Sequence, residues 1–177
     1  MKRALLGLAL LIPVCALLAQ HQHTPAAPEA KPAEASHHAL LEQERLALER
    51  GEGFGMAMPA DKAGYPGPKH ALDLKSELKL TPDQVAAMEK LFAEMKARAV
   101  ERGREVLAAE ARLEQMFREG RSADELREES FRIASLRAEL RWVHLGTHLA
   151  ARKVLTPGQL AAYMQLRYGQ TGPQHAH

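Results

Sequence analysis

The sequence predicts an all-α fold organised around one long antiparallel helical hairpin. Val, Ile and Thr together number only thirteen of 177 residues and stand singly, while Ala, Leu, Glu, Arg, Lys and Gln dominate, so a β-rich architecture lacks its material. No proline interrupts the 74 residues from Asp83 to Thr156. Within that run apolar residues recur at steps of three and four, and Gly120 with a fresh capping signal divides it into two arms.

Length and an apolar content of 46% suit one modest domain. Lys and Arg total 24 against 22 Asp and Glu, far from the basic surplus of a phosphate-tracking surface, so no nucleic-acid partner is expected. Residues 1–19 read as a cleavable signal peptide: Lys2 and Arg3 are the positive start, 4–18 are apolar, and Ala19 is a small residue for cleavage. The apolar run is shorter than the roughly 20 residues a bilayer span needs, and Pro13 breaks it, which weakens an uncleaved anchor. Cys15 is the only cysteine, and Val14 and Pro13 before it disfavour lipid attachment. Cleavage would leave 22 cations against 22 anions, and no thiol for a disulfide, a thiolate metal site or a cysteine nucleophile.

Residues 20–36, with Pro25, Pro28 and Pro32 among Ala, Glu and Lys, read as a disordered leader. Residues 37–63 read as a short helix from His37 to Arg50, stopped by Gly51, and a glycine-rich connector. The main helical domain spans 64–168. Pro66-Gly67-Pro68 opens a short helix to about Lys79. Thr81, Pro82 and Gln84 then give the first long helix its cap, its preset first residue and its reciprocal amide. Its seam runs Val85, Met88, Phe92, Met95, Ala99, Arg102, Val106, Ala109, Leu113, Met116. Ser122 and Glu125 cap the second arm, whose seam is Leu126, Ile133, Leu136, Leu140, Val143, Thr147, Ala150, Val154. Phe131, Ala134, Ala138, Leu145 and Leu149 give that arm a second apolar face, which predicts a second layer or a homodimer. Thr156, Pro157 and Gln159 start a last helix to Tyr168, and 169–177 form a loose tail.

The two caps sit in matching pentads, Leu80-Thr81-Pro82-Asp83-Gln84 and Leu155-Thr156-Pro157-Gly158-Gln159. In these, and in Gly64-Tyr65-Pro66-Gly67-Pro68 ahead of the first, the chain resembles the Spy/CpxP family of periplasmic proteins, whose hallmark is a repeated LTxxQ motif flanking a helical hairpin. The resemblance covers about residues 64–168. It implies a four-helix, cradle-like, dimeric fold in the Gram-negative periplasm. It also implies one of three roles: an ATP-independent chaperone for unfolded or misfolded envelope proteins, a regulator acting on a membrane sensor protein, or a protein responsive to nickel, cobalt or zinc.

Nine histidines all lie beyond residue 19. His21 with His23, His37 with His38, and His175 with His177 are candidate partial sites for Zn, Ni, Co or Cu, with solvated His-rich segments as the plainer reading. His144 and His148, four apart on a helix, share one face as a metal pair would. No Glu follows His144, so the HExxH arrangement of a metalloprotease is absent. Arg137, Arg141, His144, His148 and Arg152 form one stripe, and the arginines oppose a cation, so the stripe reads as a basic surface ahead of metal ligation or buried structural histidines. Arg137, Arg141, Trp142, Leu145, Leu149 and Arg152 are the candidate client-binding residues. Met56 and Met58 beside Phe54 read as an adaptable apolar contact rather than a copper site. No nucleophile elbow, phosphate loop or dinucleotide fingerprint occurs, so no enzyme activity is expected and no cofactor is required.

Overall fold

A computed structural model describes the backbone of residues 32–169 and the side chains of residues 39–169. The expected signal segment, most of the expected leader with His21 and His23, the side chains of His37 and His38, and the expected tail with His175 and His177 lie outside the described residues. Six helices follow one another, α1 (Pro32–Arg50), α2 (Met58–Lys62), α3 (Pro68–Asp73), α4 (Pro82–Arg118), α5 (Ala123–Val154) and α6 (Pro157–Tyr168), with no strand among the described residues. Also among these residues, no helix is long and apolar enough to cross a membrane.

The hairpin is α4 against α5, 37 and 32 residues or about 55 and 48 Å at 1.5 Å per residue. Its caps are as the sequence reads. Thr81, Ser122 and Thr156 each accept from the backbone amide three residues on, and Gln84, Glu125 and Gln159 reach back to the cap's own amide. Gly120 turns the chain at φ +66°, where a side chain would be strained.

Two apolar clusters hold the hairpin. Ala71, Leu78, Met88, Ala151, Leu155, Tyr163 and Met164 pack at its open end, where α3 and α6 cover it. Leu48, Ala99, Val106, Leu140 and Val143 pack midway, where the end of α1 lies across both arms. That docking depends on Gly103, because a Cβ there would overlap the Leu48 carbonyl oxygen.

Four expectations shift. The first helix begins at Pro32 rather than His37, so the end of the expected leader is helical. The connector contains α2, begun by Pro59 near its first turn. The helix expected to reach Lys79 ends at Asp73, and Lys79 itself is left-handed at φ +49°. The α5 seam holds at Ile133, Leu140 and Val143, then rotates to His144, His148, Ala151 and Leu155 instead of Thr147, Ala150 and Val154. The connector and the short helices pack on that side of α5 and bury the histidine face.

Candidate functional site

A cleft of about 720 Å³ opens between the connector and the hairpin. Its floor carries His144 and His148 from α5 and Phe92 and Met95 from α4, and its other walls carry Phe54 and Met56 from the connector and His70 from α3. The histidine pair is only 3% and 8% exposed. Local sequence explains the arrangement: Pro66 and Pro68 fix φ in the irregular stretch 65–67 that leads into α3, and Gly67, extended at φ −76° and ψ 144°, lets its backbone lie directly on the His148 ring.

The Nδ1 of His148 lies 2.6 Å from the Tyr65 carbonyl oxygen. A carbonyl only accepts, so in the neutral ring the proton sits on Nδ1 and the lone pair on Nε2. Burial lowers the pKa of His148, further lowered by His70 and partly restored by the Tyr65 bond and Asp61. Burial and then the neighbouring His148 lower that of His144, whose Nε2 is enclosed without a hydrogen-bond partner.

Asp61, on α2, anchors the cleft to α6. It accepts hydrogen bonds from Tyr163, from Arg167 at 2.9 Å and from Tyr168 at 2.6 Å, and its Oδ2 lies 3.5 Å from His70 Nδ1. Burial alone would raise its pKa, but these four partners hold it far below the carboxylate range. Burial and Asp61 together push the Tyr163 phenol far above its ordinary value.

The basic stripe expected on α5 is not a free surface. Besides the buried histidines, Arg137 is half-buried and bridges Glu44 of α1 at 2.6 Å and Glu110 of α4 at 2.8 Å. Arg152 donates to the Gly64 carbonyl at 2.5 Å and stacks over the Tyr65 ring at 4.5 Å. Only Arg141 of the stripe remains exposed. Charge at helical spacing gave the impression of a solvated face, whereas α1 and the connector supply the carboxylates, carbonyls and ring that receive it.

The second apolar face of α5 is where the sequence places it, and it is open. Phe131 and Trp142 are 64% and 60% exposed, Leu149, Ala134 and Ala138 are exposed, and Leu145 is half-buried. Arg127 lies over the Phe131 ring at 5.6 Å.

Sequence reading missed Asp61, His70, Tyr163, Arg167 and Tyr168 as one network, since they come from three short segments without shared periodicity. The one available signal was an acid isolated among glycines, prolines and alanines. Among the described residues, no three His, Cys, Asp or Glu side chains stand close enough to hold a metal ion. Comparison of the chain with family models, curated proteins and solved structures gives no match.

Proposed function

We propose that this chain is an exported, ATP-independent, chaperone-like protein that holds unfolded envelope proteins on the surface of its helical hairpin. The observation that carries the reading is the open apolar face of α5, with Phe131 and Trp142 mostly exposed along a rigid helix. Exposed aromatic side chains in a row offer apolar area to a partly folded chain, and the surrounding charges keep the face soluble. The paired LTxxQ motifs and the export signal support the same reading.

Suppression of the aggregation of reduced α-lactalbumin tests it. The mature chain is expected to suppress light scattering without nucleotide, and Phe131→Ser with Trp142→Ser to lose most of that effect while keeping its helicity. No suppression by a several-fold molar excess of the mature chain overturns the reading. Light scattering tests the accompanying homodimer, and a dimer that falls to monomer in the double variant, with aggregation suppression intact, reassigns this face to self-association. Periplasmic placement fails if the protein from its host retains residues 1–19.

One observation favours a second reading, a heavy-metal-binding protein. A histidine whose Nδ1–H is held by a backbone carbonyl presents its Nε2 lone pair as metal ligands do. His70 and His144 line the same cleft, with Met56 and Met95 as thioether donors. Against it, Lys62, Lys69, Lys96 and Arg167 line that cleft too. Equilibrium titration of the mature chain with Zn, Ni, Co and Cu, with and without its terminal histidines and against His144→Ala with His148→Ala, decides it: stoichiometric binding lost in the His144 and His148 variant supports metal, and binding lost only with the terminal histidines refutes this site.

A further inference from the structure

We infer that the mouth of the cleft docks extended peptide segments in which large apolar side chains alternate with acidic ones. The inference rests on the client-holding reading and names a client chemistry different from that of the α5 face. Two hollows, of about 720 and 600 Å³, flank the connector ridge and share Phe54, Gly55, Met56, Met58 and Lys62. Either alone is the size of a small-molecule pocket, and the pair suits a chain running across the ridge.

The ridge is apolar and adaptable. Phe54 and Met58 are about half exposed, although each is large and apolar. Phe54 sits at φ +39°, in the left-handed region that bulky side chains rarely adopt. Thioethers on a glycine-rich loop can repack around differing partners, as surfaces without a single preferred sequence do.

Charge selects the complement. Arg50 and Lys96 line the first hollow, Arg141 the second and Lys62 both, and none of the four forms an ion pair among the described residues. Of the acids in the lining, Asp61 is consumed by its own donors, leaving Glu52. The chain as a whole carries only +2, whereas the lining of the mouth sets these four cations against Glu52. Acidic groups flanking an apolar side chain meet both features of the mouth.

Fluorescence anisotropy of a labelled peptide alternating Glu with Phe or Leu, titrated with the full mature chain, tests the site. Two further peptides replace Glu by Lys, or the apolar residues by Ser. The acidic apolar peptide is expected to bind at least about tenfold more tightly than either, and to weaken as salt rises from about 50 to 300 mM. Lys62→Glu with Lys96→Glu, and Phe54→Ser with Met58→Ser, should each weaken it about tenfold, while Phe117→Ser at the hairpin tip should leave it within about twofold. If the charge reversal unfolds the chain, Lys62→Gln with Lys96→Gln should still flatten the salt dependence. Equal binding of the acidic and basic peptides, insensitivity to the mouth variants, or displacement of the peptide by neutral detergent alone with no salt effect overturns the site. Aggregation suppression without peptide selectivity overturns this site and leaves the chaperone reading standing. Peptide selectivity without suppression supports the site and overturns that reading.

Discussion

Gln84 and Gln159, 75 positions apart, are hydrogen-bonded to each other through both side-chain amides. The Nε2 of Gln84 donates to Gln159 Oε1 at 2.8 Å, and the Nε2 of Gln159 donates to Gln84 Oε1 at 2.9 Å. Each amide also donates across the open end of the hairpin, Gln84 to the Val154 carbonyl at 2.9 Å and Gln159 to that of Leu78 at 3.2 Å. Each oxygen in turn accepts from its own cap, Thr81 N at 3.1 Å or Thr156 N at 2.9 Å. The repeated pentad is therefore more than two helix caps: it ties the start of α4 to the start of α6.

Removing one amide strands the other among half-buried groups. Gln84→Ala or Gln159→Ala is expected to cost about 1–3 kcal/mol, and the double variant less than the sum by roughly 1 kcal/mol. Urea denaturation of the four proteins in the cycle measures this. Additivity within about 0.3 kcal/mol would show two independent caps and no latch.

The caps, the turn at Gly120 and the α4 seam were legible because each is written in residues a few positions apart. Met88, Ala99, Val106, Ala109 and Met116 are buried where a three-four period places them. The histidine face of α5 was not legible. Periodicity marks a polar stripe as solvated, and only the packing of residues 51–68 and α1, some 80–100 positions away, turns His144, His148, Arg137 and Arg152 inward. The Asp61 network was hidden for the same reason, since its partners in α6 lie 102–107 positions from it.

Gly103 and Gly146 both interrupt long helices, yet they predict opposite results. Gly103→Ala pushes a methyl into the Leu48 carbonyl and is expected to loosen α1, costing about 1–3 kcal/mol despite the better helix propensity of Ala. Gly146 meets nothing closer than the Trp142 ring at 3.9 Å, so Gly146→Ala should stabilise by up to about 1 kcal/mol. Limited proteolysis reads the first as early cleavage near residue 51, and thermal denaturation reads both.

Arg137 joins three helices, since Glu44 is on α1 and Glu110 on α4. Arg137→Glu replaces two attractions with two repulsions and should release the end of α1, costing about 1–2 kcal/mol for this partly exposed site. Arg141→Glu, on an exposed residue of the same helix, should change stability by less than about 0.5 kcal/mol. Equal losses for the two would show that the bridge contributes nothing to docking α1.

Acid is expected to weaken the fold in two separate windows. Burial lowers the pKa values of His144 and His148 below the ordinary 6.5, so both rings stay neutral in the folded chain at pH values where the unfolded chain has begun to protonate. The unfolded state then binds more protons, and stability falls as pH drops below about 6.5, down to the lowered folded values. Asp61 acts lower on the scale. Its folded pKa lies below the ordinary 3.8 because His70, Tyr163, Tyr168 and Arg167 together outweigh its burial, so its contribution is complete above that value and lost in stronger acid. Urea midpoints from about pH 7.5 to 3 should therefore fall first near pH 6 and again below about pH 4. His144→Leu with His148→Asn, whose amide can still donate to the Tyr65 carbonyl, should flatten the upper window and leave the lower one. Tyr163→Phe should shallow only the lower. A wild-type midpoint that stays level between about pH 7.5 and 5 would mean that the histidine face is hydrated and titrates freely, and with it the burial of that face on α5 would fail.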